Sequence, residues 1–191
     1  MASIETGHGF FANAGTTLRQ GVEAKLDWRQ DRWNAYANYT FVDATYQSAL
    51  LLSSPNNPFA DGNGNISVTP GDHIPGISAH RFKVGAEHAV TDLWAVGADL
   101  NVVGSQYLIH DDANQNAKVP AYALLNLHTS YQLTPNVELF GLVNNALNQH
   151  YYAQGTFFDI GNQPGSLGLT DPRTFSQGKP FAAFGGVTVK F

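Results

Sequence analysis

Three groups of residues in this chain of 191 carry side chains suited to chemistry. The first is the stretch Asp61-Gly62-Asn63-Gly64-Asn65-Ile66-Ser67-Val68-Thr69-Pro70-Gly71-Asp72. Oxygens at Asp61, Asn63, Asn65, Ser67, Thr69 and Asp72 match the ligand spacing of a twelve-residue calcium loop. Ile66 stands where that loop needs glycine, Asp72 replaces its bidentate glutamate, and no helical pattern flanks it. A polar surface loop accounts for the same residues, and no calcium is expected. The second group is the seven histidines, none with HExxH or His-x-His spacing, so no metal site is expected. The third is the aromatic set Tyr151, Tyr152, Phe157 and Phe158, which interface and packing roles explain without a ligand. There is no G-x-S-x-G, and the Gly-x-Gly at 62–64 lacks the strand-to-helix setting of a phosphate cradle. No catalytic residue and no cofactor is expected, and an enzyme is not the reading.

Composition narrows the class. Charged residues make up 13% of the chain, about half of the usual quarter, while aromatics reach 12%. Mean hydropathy is nevertheless −0.20, because Asn, Gln, Ser and Thr fill the places that Lys and Glu usually take. That balance suits a membrane barrel with a wet interior. No run approaches the roughly 18 apolar residues of a spanning helix, so contact with lipid would be made by strands. Cysteine is absent, which excludes disulfides and thiolate metal sites. The net charge of −5 is spread out with no basic cluster, so no nucleic acid partner is expected.

The elements that must carry any site are strands. In residues 20–29, Val22, Ala24, Leu26 and Trp28 alternate without error against Glu23, Lys25, Asp27 and Arg29. A helix would scatter those charges around its axis. Alternation returns in residues 33–46, with Trp33, Ala35, Ala37, Tyr39 and Phe41 on one side, and again in 80–90 and 94–102. A fifth strand covers 121–133, a sixth, interrupted one covers 137 to about 158, and the last covers 180–191, ending on Phe191. Gly9 to Asn13 reads as the tail of an earlier strand. Short turns at 30–32, 91–93 and 134–136 alternate with long polar stretches at 47–78, 104–120 and 161–179. Short turns on one side and long loops on the other are the asymmetry of an outer-membrane barrel. Seven strands plus a remnant fall short of the even numbers that closed bacterial barrels use, so a segment of a larger barrel is expected. Met1 reads as an artificial or truncated start, because no basic or apolar leader follows it.

Four motifs, in order along the chain, carry a resemblance. They are Asn13-Ala14-Gly15 with Arg19-Gln20-Gly21-Val22-Glu23, then Ile74-Pro75-Gly76 with Ala79-His80-Arg81-Phe82, then Val143-Asn144-Asn145-Ala146-Leu147-Asn148-Gln149-His150-Tyr151-Tyr152, then Asp171-Pro172-Arg173-Thr174-Phe175. Together with the terminal Phe191 they resemble the C-terminal β-barrel portion of TonB-dependent outer-membrane receptors. The chain departs from the pattern at Ala146 and in the insertion 176–180. The resemblance implies an all-β fold, an antiparallel transmembrane β-barrel segment of about seven to eight strands over residues 1–191, without the plug domain.

It further implies a place in a Gram-negative outer membrane and a role in TonB-driven uptake of a ferric siderophore or similarly scarce nutrient. The partners implied are outer-membrane lipid, the barrel-assembly machinery, the remaining barrel strands and the plug, and the TonB complex through that plug. His110, Asp111 and Asp112 in one long loop, with Tyr151 and Tyr152, become the candidate contacts for a siderophore-like ligand. Phe191 becomes the assembly signal. Two other readings are a small self-contained barrel of structural or adhesin-like role and a soluble β-sandwich binding module. Strand count separates the first and solubility without detergent the second. The resemblance makes one outcome testable at once: Phe191→Asp in the full-length polypeptide lowers its outer-membrane level, measured by quantitative blotting of purified membranes. Wild-type levels in the variant would remove the assembly role.

Overall fold

The computed structural model describes residues 15–160 and 170–191. Eleven strands form: β1 (Thr17–Gln30), β2 (Trp33–Tyr46), β3 (Leu50–Ser53), β4 (Asn65–Val68), β5 (His80–Ala89), β6 (Trp94–Val103), β7 (Tyr122–Thr134), β8 (Val137–Asn144), β9 (Tyr152–Phe157), β10 (Arg173–Gln177) and β11 (Ala182–Val189). Seven of them make one antiparallel meander in the order β1-β2-β5-β6-β7-β8-β11. Tight connections at 31–32, 90–93 and 135–136 close one end, with Asp31 left-handed in the first (φ 52°). The stretches 47–79, 104–121 and 145–181 cross the other end. The seven-strand sheet, the alternation of short and long connections and the all-β class agree with the sequence pattern.

Pairing fixes what faces what. Directly opposed residues share a face of a sheet, so the register can be followed from strand to strand. Leu26 pairs with Ala37, Ala37 with Val84, Val84 with Leu100, and Leu100 with Leu125. The next row down runs Trp28, Ala35, Ala86, Ala98, Leu127, Val143 and Ala183. The opposite face carries Lys25, Asn38, Lys83 and Asn101 in one row and Arg29, Asn34, Glu87, Gly97 and His128 in another. Both rows of the first face are apolar throughout, with Thr129 a polar residue elsewhere on it, whereas the second face also carries Leu124, Leu142 and Phe184 toward β11. Trp33, which stacks on His88 with ring centroids 4.3 Å apart, and Trp94, whose indole donates to Thr129, stand at the short-turn end of that face. Tyr39, Phe41 and His80 stand at the other end, the Tyr39 hydroxyl 2.9 Å from His80 Nδ1. The Trp33–Phe41 run between them is nine paired residues, the length a tilted strand needs to cross hydrocarbon.

Close backbone approach explains two glycines in this sheet. A Cβ on Gly21 would lie 2.1 Å from the Phe41 carbonyl oxygen, so the β1–β2 contact depends on its absence. The Tyr36 ring lies over Gly85 and closes the gap a missing side chain would leave in the polar face.

The sheet itself encloses no core. Val22, Leu26, Trp28, Val187 and Val189 are all exposed. The buried apolar side chains, Leu108, Val119, Phe157, Ile66 and Val68, lie instead among the long connections. A soluble sandwich would bury one face of this sheet against a second layer, and no such layer is present among the described residues.

Two expectations need correction. The sixth strand does not run to residue 158: it ends at Asn144, where Asn145 takes a left-handed conformation (φ 50°) and turns the chain. Residues from Tyr152 belong to β9, which pairs with β10 away from the large sheet. The long loops are also not structureless, since β3 pairs with β4 inside 47–79 and β10 lies inside the last one. Short strands there alternate too briefly to rise above their Pro- and Gly-rich surroundings. The strand remnant expected before residue 15 lies outside the described residues.

The edge-to-edge apolar face gives a direct test. Leu100→Arg costs about 2–4 kcal/mol of barrel stability near the middle of the bilayer, whereas Asn101→Arg on the other face is tolerated. Urea midpoints of the heat-shifted folded band in liposomes measure both, and equal sensitivity would contradict the assignment of faces.

Candidate functional site

The three long connections meet above one end of the sheet, and side chains of one connection satisfy the backbone of another. Asp111 is the junction. It is completely buried, and its carboxylate accepts from the Gln115 and Asn116 backbone N–H groups at 3.1 and 3.0 Å and from Asn116 Nδ2 at 2.9 Å. Asn57 Nδ2 from the first connection approaches the same carboxylate at 3.4 Å. A buried carboxylate without a cationic partner persists only when hydrogen-bond donors replace its water. Beside it, the His110 carbonyl accepts from Ser54 Oγ at 2.9 Å and Asn57 Nδ2 at 3.2 Å. His110 itself is left-handed (φ 71°), which aims that carbonyl at the neighbouring connection. The third connection joins through Ile109 N–H to the Gly155 carbonyl at 2.8 Å and Gln106 Nε2 to the Ala153 carbonyl at 2.8 Å.

Asp112 points to the strand end below. The Tyr46 hydroxyl donates to Asp112 Oδ1 at 2.5 Å. Tyr46 lies beyond the last β2–β5 pair, Phe41 with His80, in the layer of connections. Burial, and then the hydrogen bond to Asp112, push the phenol well above its usual range, so it remains a donor.

The five candidate ligand contacts therefore divide. Asp111 is committed to the framework. The His110 side chain is exposed, its Nδ1 3.4 Å from Thr156 Oγ1, and borders a cavity of about 200 Å3 with Ser53, Ser54, Asn56 and Phe157. Tyr151 stacks on Tyr122 with centroids 4.4 Å apart and lies over Gly178, where a Cβ would fall 2.1 Å from its ring. Tyr152 packs on Phe175 at 4.9 Å. These tyrosines belong to the connection above the sheet rather than to an interface girdle. The carboxylates of the calcium-like loop are occupied as well: Asp61 Oδ1 accepts from the Asn63 and Asn65 backbone, and Asp72 Oδ2 from the Thr69 backbone and hydroxyl. Among the described residues no group of three or more His, Cys, Asp or Glu is placed to hold a metal ion.

Two of the four sequence motifs prove to be framework. Asn145 is buried, donates through Nδ2 to the Gln149 carbonyl at 2.9 Å and the Lys179 carbonyl at 3.1 Å, and accepts from Gln149 N–H at 2.9 Å. Asn148 Oδ1 accepts from Phe181 N–H at 3.0 Å, so the motif clips the exit of β8 to the entry of β11. In the second motif Arg173 Nε and Nη2 grip Asp171 at 2.9 and 2.7 Å, which holds that exposed carboxyl down to about 2. Phe175 two residues on packs against Leu108, Val119 and Phe157.

The alternation and the loops now meet comparison with known proteins. The TonB dependent receptor-like β-barrel profile matches residues 2–146. The chain belongs to the TonB-dependent receptor family. Its members are outer-membrane receptors, and these strands are part of such a barrel. Among solved structures, the siderophore receptor PiuA from Acinetobacter baumannii superposes with a TM-score of 0.71 at 18% identity, over 92% of this chain and 22% of that one. The ferric yersiniabactin uptake receptor FyuA from Yersinia pestis gives 0.63 at 18%, over 94% and 24%. The ferric citrate transporter FecA, unliganded, gives 0.65 at 17%, over 90% and 24%. The chain thus spans about a quarter or less of the length of each of these structures, and at such identities the likeness speaks for the fold alone.

Asp111→Ala in a TonB-dependent receptor polypeptide leaves the Gln115 and Asn116 donors without their acceptor and takes from Asn57 one of its two, a loss of about 2–3 kcal/mol held locally by the connections. Protease added to intact cells then cuts within 50–60 and 108–118 while the heat-shifted mobility of the barrel stays unchanged. Wild-type protease resistance would show that the junction does not hold the connections together.

Proposed function

We propose that residues 1–191 supply the C-terminal barrel strands and ligand-facing connections of an outer-membrane receptor that imports ferric siderophores or a similarly scarce nutrient. The observation that carries this reading is the pairing of an edge-to-edge apolar face with a self-supporting layer of connections at one end only. A passive pore would need no such layer; a receptor needs a surface that holds its shape while a ligand is sampled. The names of PiuA, FyuA and FecA point to siderophore and ferric citrate handling by similar barrels and support the same ligand class here. His110, Asp112, Tyr151 and Tyr152 are the contacts proposed on that surface, and Phe191 the assembly signal. Lipid surrounds the apolar face, the other barrel strands join at the edges of β1 and β11, which are unpaired among the described residues, and the plug couples the lumen to the TonB complex. The chemistry is transport rather than catalysis.

Uptake tests it. Iron-starved cells that carry the complete receptor polypeptide take up a labelled ferric chelate in a TonB-dependent way. Deleting the β9–β10 hairpin abolishes that uptake while the barrel still reaches the outer membrane. Equal uptake in cells lacking the polypeptide, across catecholate, hydroxamate and citrate chelates, would refute the reading.

A further inference from the structure

The apolar face is not evenly filled. Its row at mid-height carries Leu26, Val84, Leu100 and Leu125, but the next row toward the short turns carries Ala35, Ala86 and Ala98 on three consecutive strands of the sheet. The row below that begins with Trp33 and His88 and ends with Gly141 and Gly185. Small residues set between large ones leave a groove of about 620 Å3, with Ala86, Ala98, Gly141 and Ala183 on its floor and Leu127 and the Trp33–His88 stack beside it. That volume lies within the range of sites that hold a small organic molecule, about 300–1,000 Å3.

Polar groups gather at the lower end of the groove. His88 lines it, and His88 Nδ1 is buried with no hydrogen-bond partner among the described residues. A proton on that nitrogen would be a sealed donor with nothing to accept it. The ring therefore carries its proton on Nε2, which leaves an N–H to donate outside the chain. Just beyond His88, Arg32 donates from Nη1 to the Ala89 and Val90 carbonyls at 3.4 Å, and its Nη2 meets Asp92 at 2.7 Å. Both partners of that ion pair are exposed. The short-turn end of the groove thus offers a neutral donor, then a cation and an anion side by side.

We propose that this groove holds one phospholipid with a zwitterionic phosphoethanolamine headgroup. The inference rests on the reading of the apolar face as the lipid-facing one and names a bound lipid on it. Short turns of such barrels lie on the periplasmic side, so the lipid belongs to the inner leaflet. Bilayer tails would enter any dent in this face; the polar groups are what make it a site. One acyl chain lies on the alanine and glycine floor, between Leu127 and the Trp33 ring. His88 Nε2 donates to an ester carbonyl, a group found at the depth of the aromatic belt. The phosphate meets Arg32 and the ammonium meets Asp92, so each charge of the headgroup finds its opposite. A two-fold contact between copies of the chain would instead set alanines against alanines and leave both His88 donors unpaired.

Native mass spectrometry of the complete receptor released from detergent micelles tests this, with phosphatidylethanolamine and phosphatidylglycerol of equal chain length as probes. One phosphatidylethanolamine stays bound to the wild type. Ala98→Leu fills the floor and abolishes its retention. His88→Leu weakens retention about fivefold, and His88→Gln, which keeps a donor, restores it. Asp92→Asn removes the preference for phosphatidylethanolamine over phosphatidylglycerol. Heat-shifted mobility confirms that each variant is folded. Equal retention by wild type, Ala98→Leu and His88→Leu would mean unspecific boundary lipid and overturn the site. A dimeric mass that Ala98→Leu converts to a monomer would give the groove to a second copy and overturn it as well. Equal retention of the two lipids, indifferent to Asp92→Asn, would overturn the headgroup assignment. A receptor that keeps its lipid in this way but takes up no ferric chelate would refute the transport reading alone. A polypeptide that stays soluble without detergent would remove the membrane reading and this inference with it.

Discussion

Strand register is the constraint on which everything else in this molecule depends. Seven strands pair so that each row crosses the sheet without changing sides: Leu26, Ala37, Val84, Leu100 and Leu125 on one face, Lys25, Asn38, Lys83 and Asn101 on the other. A slip of one residue in the β1–β2 or β2–β5 pairing would exchange the lysine-bearing and leucine-bearing faces. The backbone cannot compensate, since hydrogen bonds form equally well in the slipped register. Selection of the correct register therefore comes from the side chains, and in a bilayer the difference between the faces is several kcal/mol per misplaced charge. Local devices reinforce it: Gly21 admits the Phe41 carbonyl, and Asn145 and Asn148 clip β8 to β11.

Because no second layer packs on either face of the sheet among the described residues, the sheet does not stabilise the connections by covering them. They have to stabilise one another. The result is a small separate core of Leu108, Val119 and Phe157 with Phe175 against it, and a polar junction at Asp111 that gathers donors from two connections. This division of labour also explains why residues chosen for their chemistry turned out to have different fates. Asp111 and Asp112 sit side by side in sequence, yet one is sealed among amides and the other meets the Tyr46 hydroxyl.

The large sheet was legible in the sequence because amphipathic alternation is a strong local signal when it lasts eight residues or more, as from Val22 to Arg29. Strand class, number and the long–short rhythm of connections followed from it. The reading failed where the signal was short or interrupted. Tyr152 to Phe157 continues an apolar, aromatic composition past Asn144, and nothing local says that it pairs with Arg173–Gln177 instead of prolonging β8. The four-residue β3 and β4 are held by their partners and by the buried Ile66 and Val68 more than by propensity. At the candidate site the sequence named His110 and Tyr151 but not Tyr122, which sits at the head of an apolar run and meets Tyr151 only in the folded chain.

The turns that frame the sheet and its exposed polar face answer to different requirements. The segments around Asn145 and Arg173 are recognisable because a turn clipped by specific side-chain hydrogen bonds tolerates few substitutes. Such residues hold the frame in any barrel that uses the same turn, whatever its cargo. The positions the frame leaves free are exposed strand residues of the polar face, whose identity the register places but does not dictate. Lys25 and Lys83 are of that kind, since another polar residue would satisfy the sheet at each of them. The fold thus separates the two requirements in space, with specific side-chain hydrogen bonds at the turns and exposed polar positions along the face of the sheet.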